Sequence, residues 1–183
     1  SLDEGVGRLL ETLRKTGVED RTVVFFLSDN GGPVGVNGST NTPLRGAKGS
    51  VYEGGIRVPF VARWKGKWRP GVRKDPVISL DLFPTIMGLA GAAAPAGVRL
   101  DGRDLSALLA GSPAAGKVRE RQLFWRTGGG VSYAMREGNY KLVKAPGKAS
   151  AELYDLAADI GETRDLAASE AARVKRMEAA LAE

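Results

Sequence analysis

Three groups of residues in this chain have types and spacings that could do chemistry. Asp29 and Asn30 stand side by side in Phe26-Leu27-Ser28-Asp29-Asn30-Gly31-Gly32, just past a short apolar run. A carboxylate beside a carboxamide offers two hard oxygen donors, the kind calcium or magnesium takes. Gly31 and Gly32 permit a sharp turn, so neighbouring side chains could converge. Taken locally, Asn-Gly after a strand is first of all an ordinary turn. Lys48 lies in Leu44-Arg45-Gly46-Ala47-Lys48-Gly49-Ser50. A lysine flanked by glycines could present its ammonium, with nearby backbone N–H groups, to a tetrahedral oxyanion. The alternative is an exposed loop lysine. A nucleotide-binding loop needs a different order of glycines before its Gly-Lys-Ser/Thr.

The third group is Arg63-Trp64-Lys65-Gly66-Lys67-Trp68-Arg69, continuing to Arg73-Lys74. Cations interleaved with aromatics are what single-stranded nucleic acid recruits. Here the glycine and Pro70-Gly71 make the segment a strand end and turn, too short for a groove, so a solvated hairpin tip is the better reading. Ser132-Tyr133-Ala134-Met135-Arg136 has a Ser-x-Ala-x-Arg spacing, but it falls in an expected strand and not beside a helix start that would favour an anion. The chain contains no cysteine and no histidine. Disulfides, thiolate sites and imidazole acid–base catalysis are therefore outside its means. The net charge of +6 favours anionic partners without naming one.

These groups need a scaffold. Val6, Leu9, Leu10 and Leu13 recur with helical spacing, and Gly17 is a helix stop. Thr22 to Leu27 is β-branched and aromatic without polar alternation, which suits a strand buried on both faces in a helix-covered sheet. Ser28 to Gly55 reads as a long, glycine-rich loop, and loops of that length are commonly functional. Val58 to Trp64 returns to strand character, Pro70-Gly71 marks a turn and Val77-Ile78 suggests a short strand. Leu80 to Leu89 reads as a helix with Ser79 as its N-cap, and Asp104 to Ala110 as a smaller one. Beyond an Ala/Gly/Pro-rich stretch the pattern becomes antiparallel. Strands are expected at Gln122 to Arg126, Val131 to Arg136, Tyr140 to Lys144 and Glu152 to Leu156, with a tight turn at Glu137-Gly138-Asn139. A last helix from about Ser169 puts Val174, Met177 and Leu181 on one face. No apolar run is long enough to span a bilayer, and no signal peptide stands at the start.

Taken in order along the chain, several blocks resemble the type I sulfatases, in particular the arylsulfatase and N-acetylgalactosamine-6-sulfatase-like branch. They are Asp3 to Leu10, Phe26 to Gly32, Pro43 to Pro59, Asp81-Leu82-Phe83-Pro84-Thr85, Leu100-Asp101-Gly102, Ala134 to Leu142 and Glu152 to Leu156. The resemblance implies the carboxy-terminal part of an alkaline-phosphatase-like α/β sandwich over residues 1–116. A small antiparallel sheet with a covering helix follows over 117–183. It implies Asp29 and Asn30 as ligands of a divalent cation, calcium or alternatively magnesium, and Lys48 as a sulfate-binding residue. Arg45, Glu53 and Arg57 match the same motif and read as residues that order the loop.

In that family a hydrated formylglycine attacks the sulfur of a sulfate ester, with sulfated carbohydrates among the expected substrates. Its Cys/Ser-x-Pro/Ala-x-Arg precursor, the other acidic metal pair and the catalytic histidines belong to the amino-terminal half. Residues 1–183 are thus expected to be a portion that is inactive alone, partnered by that half, poorly soluble without it, and periplasmic or secreted. Two rivals stand beside this reading. A non-catalytic module for anions or sulfated polysaccharides would use Lys48 and the basic loop without metal. A phosphatase or phosphodiesterase of the same superfamily would favour zinc with histidine ligands, which this chain cannot supply. Nucleic acid is not an expected partner.

Overall fold

The computed structural model describes residues 1–112, 121–127, 129 and 131–182. In chain order the elements are α1 (Leu2–Lys15), β1 (Val23–Leu27), α2 (Glu53–Ile56), β2 (Phe60–Trp64), α3 (Leu82–Leu89) and α4 (Ser106–Leu109). Strands β3 (Gln122–Arg126), β4 (Tyr133–Glu137), β5 (Tyr140–Lys144) and β6 (Glu152–Asp155) follow, then α5 (Ala171–Ala182). By their contacts the elements fall into two units, Ser1–Phe26 with Phe60–Arg119 and Leu27–Pro59 with Glu120–Glu183. The boundary expected at 116–117 lies outside the described residues.

In the first unit α1 starts on a capping box, in which Ser1 Oγ accepts from the Glu4 N–H and the Glu4 side chain reaches back to Ser1. Its first turn is acidic and its last turn, Arg14-Lys15, basic, as the helix dipole favours. The apolar stripe forms as expected, yet no residue of α1 is buried. Strand β1 pairs with β2 in a two-stranded sheet, and Phe25 stacks on Phe60 with ring centroids 6.1 Å apart. The expectation that β1 is buried on both faces is not met: it is half-buried, with Phe26 39% exposed. With a single strand neighbour among the described residues, the apolar run lacks the cover a wider sheet gives.

Local expectations also shift here. Val77-Ile78 is not a strand, because the Ile78 N–H donates to Asp81 Oδ2 (2.8 Å) and turns the chain into a 3-10 turn, Ser79–Asp81, ahead of α3. Asp81, and not Ser79, stands at the N-cap position of α3, with its side chain bonded back to Ile78 and not onto the helix. Its other oxygen, Oδ1, accepts from the Arg103 N–H at 2.8 Å, while Thr85 Oγ1 accepts from the Leu105 N–H at 2.9 Å. That arrangement explains why the Asp81-to-Thr85 block has its residue types. The turn expected at Pro70-Gly71 falls instead at Lys65–Lys67, closed by Lys67 and Trp68 N–H groups on the Trp64 carbonyl.

The second unit is built on an antiparallel sheet in the order β3-β4-β5-β6. Glu137 pairs with Tyr140 across the two-residue Gly138-Asn139 turn. Side chains alternate between the faces. Met135, Leu142 and Leu153 point to one face and bury Met177 of α5. Ala134, Val143 and Tyr154 point to the other and pack against Val51, with Tyr52 alongside. The sheet therefore lies between α5 and the loop that carries the candidate site residues. That loop is irregular as expected, apart from the buried single turn α2, which Glu-Gly-Gly-Ile does not announce.

Candidate functional site

Just beyond β1 the chain turns at Ser28-Asp29-Asn30. Ser28 Oγ donates to the Asn30 carbonyl at 2.8 Å, and the Asn30 N–H donates to Asp29 Oδ1 at 2.9 Å. Asp29 is exposed. Asn30 Nδ2 donates to the Gly31 carbonyl at 3.0 Å, which leaves its amide oxygen as the acceptor able to meet a cation. The turn is held from behind: the Gly31 N–H donates to the Gly55 carbonyl at 2.9 Å. Residue 31 must be glycine, since a Cβ there would overlap the Gly54 carbonyl.

Asn41 Oδ1 accepts from the Gly32 N–H at 3.0 Å, and its Nδ2 donates to the carbonyls of Gly32 (3.0 Å) and Gly46 (3.1 Å). The Lys48 N–H donates to the Gly32 carbonyl at 3.2 Å. The fold thus brings the Asp29-Asn30 turn and the Lys48 loop together, and both Asp29 and Lys48 are exposed. Among the described residues no group of three or more His, Cys, Asp or Glu side chains could hold a metal. Asp29 and Asn30 fit a hard cation as a pair of oxygen donors, well short of the six to eight calcium takes.

Arg45 and Glu53 bond instead to side chains of the antiparallel sheet, and Arg57 bonds to Glu53. Arg45 NH1 donates to Tyr154 Oη at 2.7 Å and to the Glu162 carbonyl at 3.2 Å. Its guanidinium lies 4.0 Å from the centre of the Tyr52 ring. Tyr52 Oη in turn donates to Glu152. Burial, with Glu152 nearby, pushes the Tyr154 hydroxyl up to about 12.

Glu53 is 3% exposed and its Oε1 lies 2.8 Å from Lys141 Nζ, which is fully buried. Lys141 Nζ is also 2.8 Å from Glu162 Oε1, and Glu162 Oε2 accepts from the Glu53 N–H at 2.7 Å. Arg57 NH1 donates to Glu53 Oε2 at 3.2 Å. Burial works to raise the Glu53 pKa, but Lys141 and Arg57 outweigh it and hold this carboxyl below its ordinary value. For Glu162 burial wins over Lys141, and its pKa is raised.

Lys141 and Glu162 did not stand out as site residues in the sequence. One signal was available for the first. In Tyr140-Lys141-Leu142-Val143, Lys141 shares a strand face with Val143, so a charge occupies a core-facing position. Glu162 has no such pattern, although it is the one non-glycine with positive φ (53°) among the described residues.

Elsewhere, the basic segment is partly neutralised. Arg63 NH2 and Lys65 Nζ each lie 2.6 Å from Glu19 carboxylate oxygens, and Trp64 Nε1 donates to the Asp20 carbonyl at 2.9 Å. Ser132 is buried, its carbonyl accepts from the Thr127 N–H at 3.1 Å, and it leads into β4, not a helix. No helix among the described residues is long and apolar enough to cross a membrane.

An α/β unit whose strand ends in an acidic turn, joined in the same chain to a four-stranded antiparallel sheet and a closing helix, is the carboxy-terminal architecture of the alkaline-phosphatase-like enzymes. The family model described as Sulfatase matches residues 1–92, and one described as N-sulphoglucosamine sulphohydrolase, C-terminal, matches residues 47–183. The chain belongs to the sulfatase family. It is 42% identical over 148 residues to arylsulfatase A of Homo sapiens, covering 76% of this chain and 28% of that protein. A sulfatase of Formosa agariphila is 34% identical over 192 residues, covering 91% of this chain and 34% of the relative. Among solved structures, Ps i-CgsB in complex with k-i-k-neocarrahexaose superposes with a TM-score of 0.84 at 33% identity, covering 96% of this chain and 40% of that one. The chain thus spans well under half the length of these relatives.

Proposed function

We propose that this chain is the carboxy-terminal portion of a sulfatase hydrolysing sulfate esters, and that it supplies one side of the metal and sulfate site. In this reading Asp29 and Asn30 are ligands of a divalent cation, calcium or alternatively magnesium, and Lys48 binds a sulfate oxygen. Arg45, Glu53 and Arg57 order the loop that carries Lys48. The observation that carries the reading is the Lys48 N–H bond to the Gly32 carbonyl, which brings the two motif segments together at the end of β1.

The bound cation supplies Lewis-acid neutralisation of sulfate charge. The residues of this chain would orient that charge: Asp29 and Asn30 by holding the cation through their oxygens, Lys48 by placing its ammonium against a sulfate oxygen. With no cysteine or histidine in the sequence, the formylglycine and the acid–base groups come from an amino-terminal portion, which is the proposed partner. The substrate class is a sulfate ester, sulfated carbohydrates included, and the setting periplasmic or secreted.

The test is reconstitution. The chain alone is expected not to turn over p-nitrophenyl sulfate, and mixing or co-expression with an amino-terminal sulfatase portion is expected to produce activity. Asp29→Ala or Lys48→Ala should then lower kcat by roughly a hundredfold or more, the scale of losing one transition-state charge partner. Reconstituted activity indifferent to both substitutions, or clear turnover by the chain alone, would sink the proposal.

A further inference from the structure

Glu53, Lys141 and Glu162 form a charged cluster sealed from water, at 3%, 0% and 1% exposure. Burying charges costs several kcal/mol per ion unless each is paired, so such a cluster calls for an explanation. Its connections run toward the turn at Asp29-Asn30. Lys141 sits on the hairpin strand β5 and bridges Glu53 and Glu162 at 2.8 Å each. Glu162 holds the loop at two points, through Oε2 on the Glu53 N–H and through its own carbonyl on Arg45. It does so in a left-handed backbone conformation unfavourable for a side-chain-bearing residue. Asp159 steadies that conformation, its Oδ2 accepting from the Thr163 and Arg164 N–H groups at 2.8 Å each.

From Glu53 the chain enters α2, where the Gly54 N–H donates to the Arg45 carbonyl at 2.7 Å. A Cβ on Gly54 would overlap the Gly46 carbonyl, so α2 sits against the Lys48 loop without slack. On its other side the Gly55 carbonyl accepts from the Gly31 N–H, next to Asn30. A continuous path of hydrogen bonds and close backbone contacts therefore links Lys141 to the Asp29-Asn30 turn and to the Lys48 loop. Displacing α2 would move both.

We propose that Lys141, bridging Glu53 and Glu162, is a positioning residue that sets the place of Asp29-Asn30 and Lys48 from the antiparallel sheet. This rests on reading Asp29 and Asn30 as metal ligands. It gives the carboxy-terminal hairpin a part in the site, exerted through Glu53 and α2.

The experiment is amide hydrogen exchange by NMR on the full 183-residue chain, with the calcium chloride dependence of p-nitrophenyl sulfate turnover measured for the same chains reconstituted with an amino-terminal sulfatase portion. Lys141→Met alone strands two buried carboxylates and can unfold the unit. The test variant is therefore Lys141→Met combined with Glu53→Gln and Glu162→Gln, which removes the buried cation together with both buried carboxylates and leaves the half-exposed Arg57 to solvent. The expected result is that the Gly31 and Lys48 amides exchange about tenfold faster or more while the β5 amides keep their protection. On reconstitution, the calcium chloride concentration for half-maximal turnover should rise by a similar factor, at an unchanged melting temperature of the chain. Unaltered exchange at Gly31 and Lys48, exchange rising equally in β5, or an unaltered calcium dependence where the parent shows one would each overturn the proposal. If the reconstituted parent turns over without a divalent cation, the metal reading fails, and the exchange rates still decide whether Lys141 positions the loop.

Discussion

The two units of this chain were built by the same local rules and finished to different degrees. In the unit of Leu27–Pro59 and Glu120–Glu183, the sheet has a core on both faces: Met135, Leu142 and Leu153 against Met177, and Ala134, Val143 and Tyr154 against Val51. In the other unit the fully buried apolar side chains among the described residues are Leu105 and Leu108. There, Leu9, Val61, Phe83 and Ile86 are each more than half exposed. Secondary structure forms from capping and periodicity in both. Burial, which contributes most of the stability, goes further in the unit of the four-stranded sheet, although Val36, Phe124 and Val131 are exposed there too. The Asp29-Asn30 turn belongs by its contacts to the finished unit, although the strand leading into it starts in the other.

The largest effect should come from the charged cluster of the finished unit. Lys141→Met removes the cation between Glu53 and Glu162, and breaking a buried pair this way costs about 3–5 kcal/mol. Urea denaturation followed by circular dichroism should show a loss on that scale; a loss below about 1 kcal/mol, the scale of an exposed ion pair, would mean that the cluster is hydrated. Next comes Met177→Ala, which opens a cavity where α5 meets the sheet and should cost roughly 2–5 kcal/mol. A near-neutral result would show that α5 is not docked on Leu142 and Leu153.

What was legible in the sequence follows the same division of labour. The ends of β3 and β5 were readable to the residue, because β-branched and aromatic runs bounded by turn residues mark strands without tertiary help. α1 was readable from its stripe and its glycine stop. Some failures lie where a side chain overrides local preference, and that of β1, expected to be buried on both faces, lies in its having a single strand neighbour among the described residues. Asp81 captures the Ile78 N–H and converts an apparent strand into a turn, and Glu53 is drawn inward by Lys141 to nucleate a helical turn in a glycine pair. The proximity of Lys48 to the Asp29-Asn30 turn could not be derived from spacing at all. It depends on Asn41 bridging Gly32 and Gly46, and family resemblance, not periodicity, pointed to it.

A third expectation concerns pH. Glu162 has its pKa raised above the ordinary 4.5 by burial, so its folded form holds the proton more tightly than the unfolded chain. Its stabilising contribution is full below about 4.5 and is lost as the pH rises through the raised folded value. Glu53 is lowered below 4.5 and acts in the opposite sense: its contribution is present above 4.5 and lost as the pH falls through its lowered value. Glu162→Gln should therefore flatten the decline in melting temperature above pH 4.5 while keeping the acid-side loss. A variant whose pH profile parallels the parent's throughout would remove Glu162 from the account.

The smallest effect is expected in the unfinished unit. Leu9 is 53% exposed and Ile86 51% exposed, so truncating either to alanine removes little that folding has taken from water. In the chain alone, Leu9→Ala and Ile86→Ala should each change stability by no more than about 0.5 kcal/mol, the range of ordinary surface substitutions. The same side chains on a face that a partner covers would behave as core. Each should then contribute roughly 1.5–3 kcal/mol once an amino-terminal sulfatase portion is bound. Thermal melts of each variant, alone and after reconstitution, separate the two cases. Large losses in the isolated chain would show that this unit already has a core of its own. Small losses in both states would show that its apolar face is not where the rest of a sulfatase docks, and the contrast between the two units would then lie in size alone.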